Sequence, residues 1–155
     1  MYLNIRYISS DKLLPHINTN RLFYLTRKEH FNAAHRVFNP DWSDEKNLQV
    51  FGKCANENYH GHNYDIYVTV KGEADSDTGF IMNSKTLGHI VRKYVTDLLD
   101  HKNLNKDVPF LTGVIPTTEN LAKLVWEQLE PHITECQLHC IKIQETDKTY
   151  VEYFG

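Results

Sequence analysis

The sequence predicts a single α+β domain in which two helices cover one face of a four-stranded antiparallel sheet, in the order ββααββ. Three observations lead to this prediction. An alternating run follows His60, two apolar stripes at helical spacing occupy the middle of the chain, and two further alternating runs end it. With 155 residues, 41% of them hydrophobic and 24% charged, the chain is long enough to bury one core.

The first half of the chain contains two predicted strands. Residues 22–37 form the first strand, with His35 near its end. Residues 60–71 form the second, because an apolar row alternates there with polar residues. The intervening segment, residues 39–47 (NPDWSDEKN), is predicted to be a loop from its Pro, Asp, Ser and Asn content.

The second half begins with two amphipathic helices. Residues 84–99 carry apolar side chains at steps of three and four, and Asn83 or Ser84 can cap the start of this helix. The second helix begins in the sequence PTTEN, where Thr117 or Thr118 can cap it. The last two segments, LHCIKIQE and TYVEYF, are predicted to form a hairpin.

Composition limits the domain organisation and the class of partner. The first ~20 residues are polar and irregular, and residues 1–26 are interpreted as an N-terminal extension, which leaves residues 27–155 as the domain. The formal charge of −3, with basic residues spread along the chain, argues against nucleic acid as a partner. No apolar stretch approaches the ~20 residues of a membrane span, and no signal peptide is recognisable. We interpret Cys54, Cys136 and Cys140 as free thiols of a cytoplasmic protein.

Three histidines are candidate metal ligands. His60 and His62 are two residues apart on a strand, so their side chains share a face. If the first two strands pair in antiparallel fashion, His35 at the end of one lies beside the start of the other. Catalytic zinc commonly has three protein ligands and one open position. The alternative is a set of half-buried histidines that are hydrogen-bonded to a loop.

Four other residues are candidates for chemistry. Cys54 precedes the histidine pair, and a nearby cation or metal would make its thiolate available; otherwise it is a small buried apolar residue. Asp100 lies at a helix C-terminus, which disfavours a carboxylate, so it either caps a turn or orients His101. Glu145 extends the apolar face of its strand and is either a solvated strand end or an acceptor for the N–H groups of a ligand.

Five segments together resemble those of the 6-pyruvoyl-tetrahydropterin synthase family. In chain order they are FNAAHRV, FGKCANENYHGHNY, LDHKNLN, PTTEN and IQETD, and the resemblance covers residues 27–155. It implies the tunnelling fold, in which three sheets close into a twelve-stranded barrel and two trimers stack into a hexamer. In that family the pocket is built across subunit contacts.

The resemblance also implies a role for each candidate residue. The implied roles are zinc ligand for His35, His60 and His62, proton-abstracting base for Cys54, an Asp-His pair for Asp100 and His101, pterin anchor for Glu145, and pocket lining for Thr117 and Thr118. The implied substrate is 7,8-dihydroneopterin triphosphate. Zinc would act as a Lewis acid on its side chain, and elimination of triphosphate would give 6-pyruvoyl-tetrahydropterin.

Three alternative functions remain at this point. A sister group that this chain also resembles is the 6-carboxy-tetrahydropterin synthases of queuosine biosynthesis. These enzymes use the same zinc, cysteine and substrate as the pyruvoyl family but cleave the side chain of the substrate to leave a carboxylate. Five residues separate Cys54 from the His-Gly-His segment, which favours the pyruvoyl type. The others are a non-catalytic module in which Cys54 completes a four-ligand zinc site, and a pterin-binding protein without lyase activity.

Overall fold

The structure, a computed structural model, describes residues 22–155. Most of the extension predicted for residues 1–26 therefore lies outside the described residues. The first strand begins at Phe23, so the predicted boundary at residue 27 falls inside that strand. The strands are β1 (Phe23–His35), β2 (His60–Gly72), β3 (Lys102–Asn103), β4 (Gln137–Thr146) and β5 (Thr149–Tyr153). The helices are α1 (Asp44–Phe51), α2 (Ser84–Val91), α3 (Asp97–Leu99) and α4 (Thr118–Leu129).

The strands form one sheet in the order β3-β1-β2-β4-β5. All neighbours are antiparallel except β1 and β3, which pair in parallel through Ala33 and Ala34. The four predicted strands are thus confirmed, but the prediction of four strands in all was wrong. β3 was missed because two residues are too few to show an alternating pattern.

The apolar face of the sheet and the helices share one core, which confirms the α+β class. Alternate residues of β1, β2 and β4 are buried there, and α2 and α4 lie against them. The largest contributions from the sheet and helices come from Phe31, Tyr64, Ile66, Val68, Ile141, Ile143, Leu87, Leu121 and Leu129. On the opposite face of β1, the side chains of Thr26, Lys28 and His30 are exposed.

One helix occupies a segment that the sequence predicted to be a loop. α1 begins at Asp44, and Ser43 caps it by accepting a hydrogen bond from the Lys46 N–H at 3.3 Å. The prediction for residues 39–47 was therefore wrong in its second half. Pro and Asp at the start of the segment hid a short helix that buries only Asn47.

The long helix predicted over residues 84–99 is interrupted. Asn83 caps α2, and a π-helical turn at Arg92–Thr96 separates α2 from α3. Val91, Val95 and Leu99 are all buried across this interruption, whereas Leu98, which was also assigned to the apolar stripe, is exposed. Asp100 directly follows α3, as predicted. Among the described residues, no helix has the length and hydrophobicity of a membrane span.

Candidate active site

Three histidines converge at the end of the sheet where β1 finishes and β2 starts. His35 and His60 are direct cross-strand partners, and His62 follows on the same face. The Nε2 atoms of His35 and His60 are 3.0 Å apart, and one ring nitrogen of each histidine lies within 4.8 Å of the others. The predicted meeting of the three side chains is confirmed.

The surroundings favour the neutral form of two of these imidazoles, His35 and His60. Burial lowers the pKa of His35, an effect that the carbonyl of Pro116 opposes. That carbonyl accepts a hydrogen bond from Nδ1 of His35 at 2.9 Å, which leaves the Nε2 lone pair facing the other rings. Burial and the neighbouring His62 also lower the pKa of His60. Three imidazole nitrogens that lie this close together are a donor set that fits a divalent transition metal such as zinc.

A carboxylate lies beside the histidines. Oε1 of Glu145 is 3.5 Å from Nε2 of His35 and 3.7 Å from Nε2 of His62. The β4–β5 register shifts between Gln144 and Thr146, so Glu145 occupies a bulge, a device that re-aims a side chain. The position of Glu145 on the extended apolar face is as predicted.

Tyr64 supports this carboxylate from below. Its hydroxyl donates to Oε1 of Glu145 at 3.2 Å. Burial first, and the Glu145 carboxylate second, raise the pKa of Tyr64, so the hydroxyl keeps its proton and remains a donor. From the sequence, Tyr64 was predicted only as one residue of the apolar row in β2. The feature that could have indicated its role in the site is its position two residues after His62 on the same face of the strand.

A cavity of about 380 Å³ opens next to His35 and Glu145. Cys54, which is exposed in the 3₁₀ turn Gly52–Ala55, lines this cavity together with Thr117 and Thr118. Thr117 caps α4 by accepting from the Asn120 N–H at 3.3 Å, which decides between the two predicted caps. The cavity thus brings together five predicted site residues, which are His35, Cys54, Thr117, Thr118 and Glu145.

Asp100 and His101 form a pair at a different cleft. Oδ2 of Asp100 is 2.8 Å from Nδ1 of His101, and its Oδ1 accepts from the Asn32 N–H at 2.8 Å. These two donors, the Asn32 N–H first, lower the pKa of Asp100. His101 has a φ of 57°, which is unusual for a residue other than glycine. His101 lines a cleft together with His62, whereas Cys54 lines the cavity beside His35.

Three convergent imidazoles and a carboxylate at the end of a sheet, beside a cavity that a thiol lines, define a class of α+β proteins with a candidate metal-binding site. The family model described as 6-pyruvoyl tetrahydropterin synthase matches residues 24–155. The chain belongs to this family.

Individual relatives agree with that assignment. The chain is 44% identical over 131 residues to 6-pyruvoyl tetrahydrobiopterin synthase of Homo sapiens, covering 84% of this chain and 90% of the human protein. It is 31% identical over 149 residues to 6-carboxy-5,6,7,8-tetrahydropterin synthase of Bacillus subtilis, covering 92% of each. The solved structure of Caenorhabditis elegans 6-pyruvoyl tetrahydropterin synthase superposes with a TM-score of 0.82 at 36% identity, covering 87% of this chain and 96% of that one.

Proposed function

We propose that the protein is a lyase that converts 7,8-dihydroneopterin triphosphate into 6-pyruvoyl-tetrahydropterin by eliminating triphosphate. The single observation that carries the proposal is the convergence of His35, His60 and His62 beside a cavity that also holds Cys54 and Glu145. Family membership and the 44% identity to a 6-pyruvoyl tetrahydrobiopterin synthase support the choice of reaction.

The three imidazoles are proposed to hold zinc. His35 offers Nε2 because its Nδ1 is engaged by Pro116, and the lowered pKa values of His35 and His60 favour the neutral form that a metal requires. Zinc, when bound, supplies Lewis-acid polarisation of the substrate side chain.

Cys54 is proposed as the base that removes and returns protons on the substrate side chain. Its exposed thiol lines the cavity, so a carbon held there is within reach of it. Asp100 and His101 are proposed to support proton transfer as a hydrogen-bonded pair. Because His101 lines another cleft in this chain, the pair would act on the Cys54 of a second copy.

Glu145 is proposed to anchor the pterin. Its carboxylate can accept from the amide and amino N–H groups of a pterin, and the Tyr64 hydroxyl fixes one of its oxygens. Thr117 and Thr118 line the same cavity and are proposed to contact the ring. Holding the ring in this way would place the side chain of the substrate next to Cys54.

The assembly is proposed to be a hexamer of two stacked trimers. The two-cleft arrangement of Cys54 and His101 supports it, as do the open edges of the sheet. A cytoplasmic location is proposed as well, with support from the three free thiols, Cys54, Cys136 and Cys140.

Incubation with 7,8-dihydroneopterin triphosphate, followed by mass spectrometry of the pterin and measurement of released triphosphate, tests the function. A 6-pyruvoyl product with stoichiometric triphosphate is expected. A 6-carboxy product would favour the reaction named for the Bacillus subtilis relative. Binding of the pterin without triphosphate release would reduce the protein to a binding module and contradict the proposal.

A further inference from the structure

The side chain of Asn105 forms a paired hydrogen bond with the backbone of Arg36. Oδ1 of Asn105 accepts from the Arg36 N–H at 2.8 Å, and its Nδ2 donates to the Arg36 carbonyl at 2.9 Å. A neighbouring strand residue would make the same two bonds in a sheet. Asn105 is itself fixed, because its N–H donates to Oδ1 of Asn103 at 3.0 Å. The amide therefore continues strand pairing one residue beyond the end of β1.

This contact is the last of three that fasten one segment to β1. The His101 N–H donates to the carbonyl of Asn32 at 2.7 Å, and the Leu104 N–H donates to the carbonyl of Ala34 at 2.8 Å. Asn105 adds the third contact at Arg36, which is two residues after Ala34 and directly follows β1. The segment that carries the Asp-His pair is thereby registered on the strand that carries His35.

Arg36 passes this registration on to the turn that contains Cys54. Its Nε donates to the carbonyl of Ala55 at 2.8 Å, and the Val37 N–H donates to the carbonyl of Cys54 at 2.8 Å. Two successive carbonyls of the short turn are thus held by the continuation of β1. The guanidinium lies 4.3 Å from the ring centroid of Phe38, which limits its freedom to move.

We propose that Arg36 and Asn105 are positioning residues that hold the Cys54 thiol at the wall of the cavity that faces His35. The inference rests on the proposed function, because Cys54 is the proposed base. Neither residue lines that cavity, so each acts through the backbone of another residue. A general base must be aligned to the reacting carbon, and a misplacement of about 1 Å costs about 10²-fold in rate.

The test is Arg36→Lys, which keeps the positive charge but loses the planar fork that reaches the carbonyl of Ala55. We expect kcat to fall about 10²-fold, while KM and the metal content stay at wild-type values. Asp44→Asn is the matched control, because Asp44 contacts the same guanidinium at 3.4 Å but is exposed and does not hold the turn. It is expected to keep wild-type kcat.

A second variant keeps the test decisive if Arg36→Lys does not fold. Asn105→Asp keeps the acceptor for the Arg36 N–H but replaces the donor with a carboxylate that faces the Arg36 carbonyl. The same selective loss of kcat is expected. The positioning role is wrong if either variant folds and retains wild-type kcat per folded molecule. It is also wrong if a folded variant shows a raised KM or a reduced metal content instead of a lower kcat.

A measurement without turnover separates this inference from the proposed function. Cys54 is alkylated with iodoacetamide in the absence of any ligand, and the rate is followed by peptide mass spectrometry. We expect faster alkylation in Arg36→Lys and Asn105→Asp than in the wild type and Asp44→Asn, because the released turn lets the thiol leave the cavity wall. If the wild type is inactive but the four proteins differ in alkylation rate as expected, the proposed function fails and the positioning role stands. Equal rates in all four proteins contradict the positioning.

Discussion

His35 shows how one side chain can be fixed from two directions at once. The carbonyl of Pro116, just before α4, accepts a hydrogen bond from its Nδ1, and the strand pairing of β1 with β2 places its Nε2 against His60. Such a contact sets the tautomer and the ring orientation of a metal ligand. The cluster is therefore ordered by hydrogen bonds and backbone pairing of the protein itself.

At the residue scale, His60→Ala is expected to lose bound metal and activity together, because two imidazoles remain where three are needed. Metal content per chain is measured by atomic emission and turnover by triphosphate release. His30→Ala is the control, since His30 is exposed and lies on the other face of β1. Stoichiometric metal with full turnover in His60→Ala would overturn the assignment of the ligands.

Cys54→Ser separates a basic role from a packing role. A hydroxyl is far less acidic than a thiol, so the ionised base is almost absent at neutral pH. We expect a loss of about 10²–10⁴-fold in kcat while metal content and pterin binding persist. Cys136→Ser should leave turnover per folded molecule unchanged, because Cys136 packs against Met82, away from the cavity. Wild-type turnover in Cys54→Ser would rule out Cys54 as the base.

At the scale of elements, strand pairing between distant segments could not be predicted from the sequence where the segments show no periodic pattern. β1 and β2 could be predicted because their alternation spans many residues, and their antiparallel pairing then brought His35 to His60. β3 could not, because it consists of two residues held by contacts to a distant strand. The same holds for α1, whose burial of a single side chain left no apolar stripe.

The site was predictable to the extent that residues lie on regular strands. Glu145 could be placed on the correct face by its parity with Ile141 and Ile143. Tyr64 was missed because an aromatic residue in a buried row gives no sign that its hydroxyl meets a carboxylate. The positive φ of His101 and its place in the cleft beside His62 were not predicted, because composition does not reveal either.

Asp100→Asn tests the attachment of β3 to β1. The pKa of Asp100 is lowered in the fold, so its ionised form stabilises the native state at neutral pH. That contribution is present above the unfolded pKa of about 4 and is lost as the pH falls through the lower folded value. We expect the wild type to unfold at a higher temperature than Asp100→Asn at pH 7, with the gap closing in acid.

The measurement is the thermal midpoint of both proteins across that pH range. Asp97→Asn provides the control, because Asp97 is exposed in α3, three residues before Asp100. Its curve should run parallel to that of the wild type. If the curve of Asp100→Asn is parallel as well, the carboxylate does not fasten the strand.

At the scale of the whole molecule, the sheet formed within residues 22–155 ends in two edge strands, β3 and β5, and apolar side chains are exposed. β3 covers only Ala33 and Ala34 of β1, and β5 forms the opposite edge. Phe23, Tyr24 and Phe154 are each more than half exposed. An edge strand can pair with a strand of another chain. In a closed assembly such pairing removes the free edges and with them the risk of uncontrolled association.

We therefore expect the purified protein to sediment as a hexamer, or at least as a trimer, and to lose activity on dilution to monomer. The reason is that Cys54 and His101 line separate cavities in one chain. Sedimentation velocity and turnover are measured over the same dilution series. A stable monomer with full turnover would contradict both the closed assembly and the shared site.

The register of β1 on β2 has a practical consequence for preparing the protein. His35 lies directly opposite His60, and a slip of one residue would turn His60 and His62 to the other face of the sheet. The three imidazoles converge only when β1 and β2 have paired in the correct register. Metal uptake by refolded material would thus count the correctly paired molecules in a batch, whereas circular dichroism would also count mispaired sheets with the same strand content.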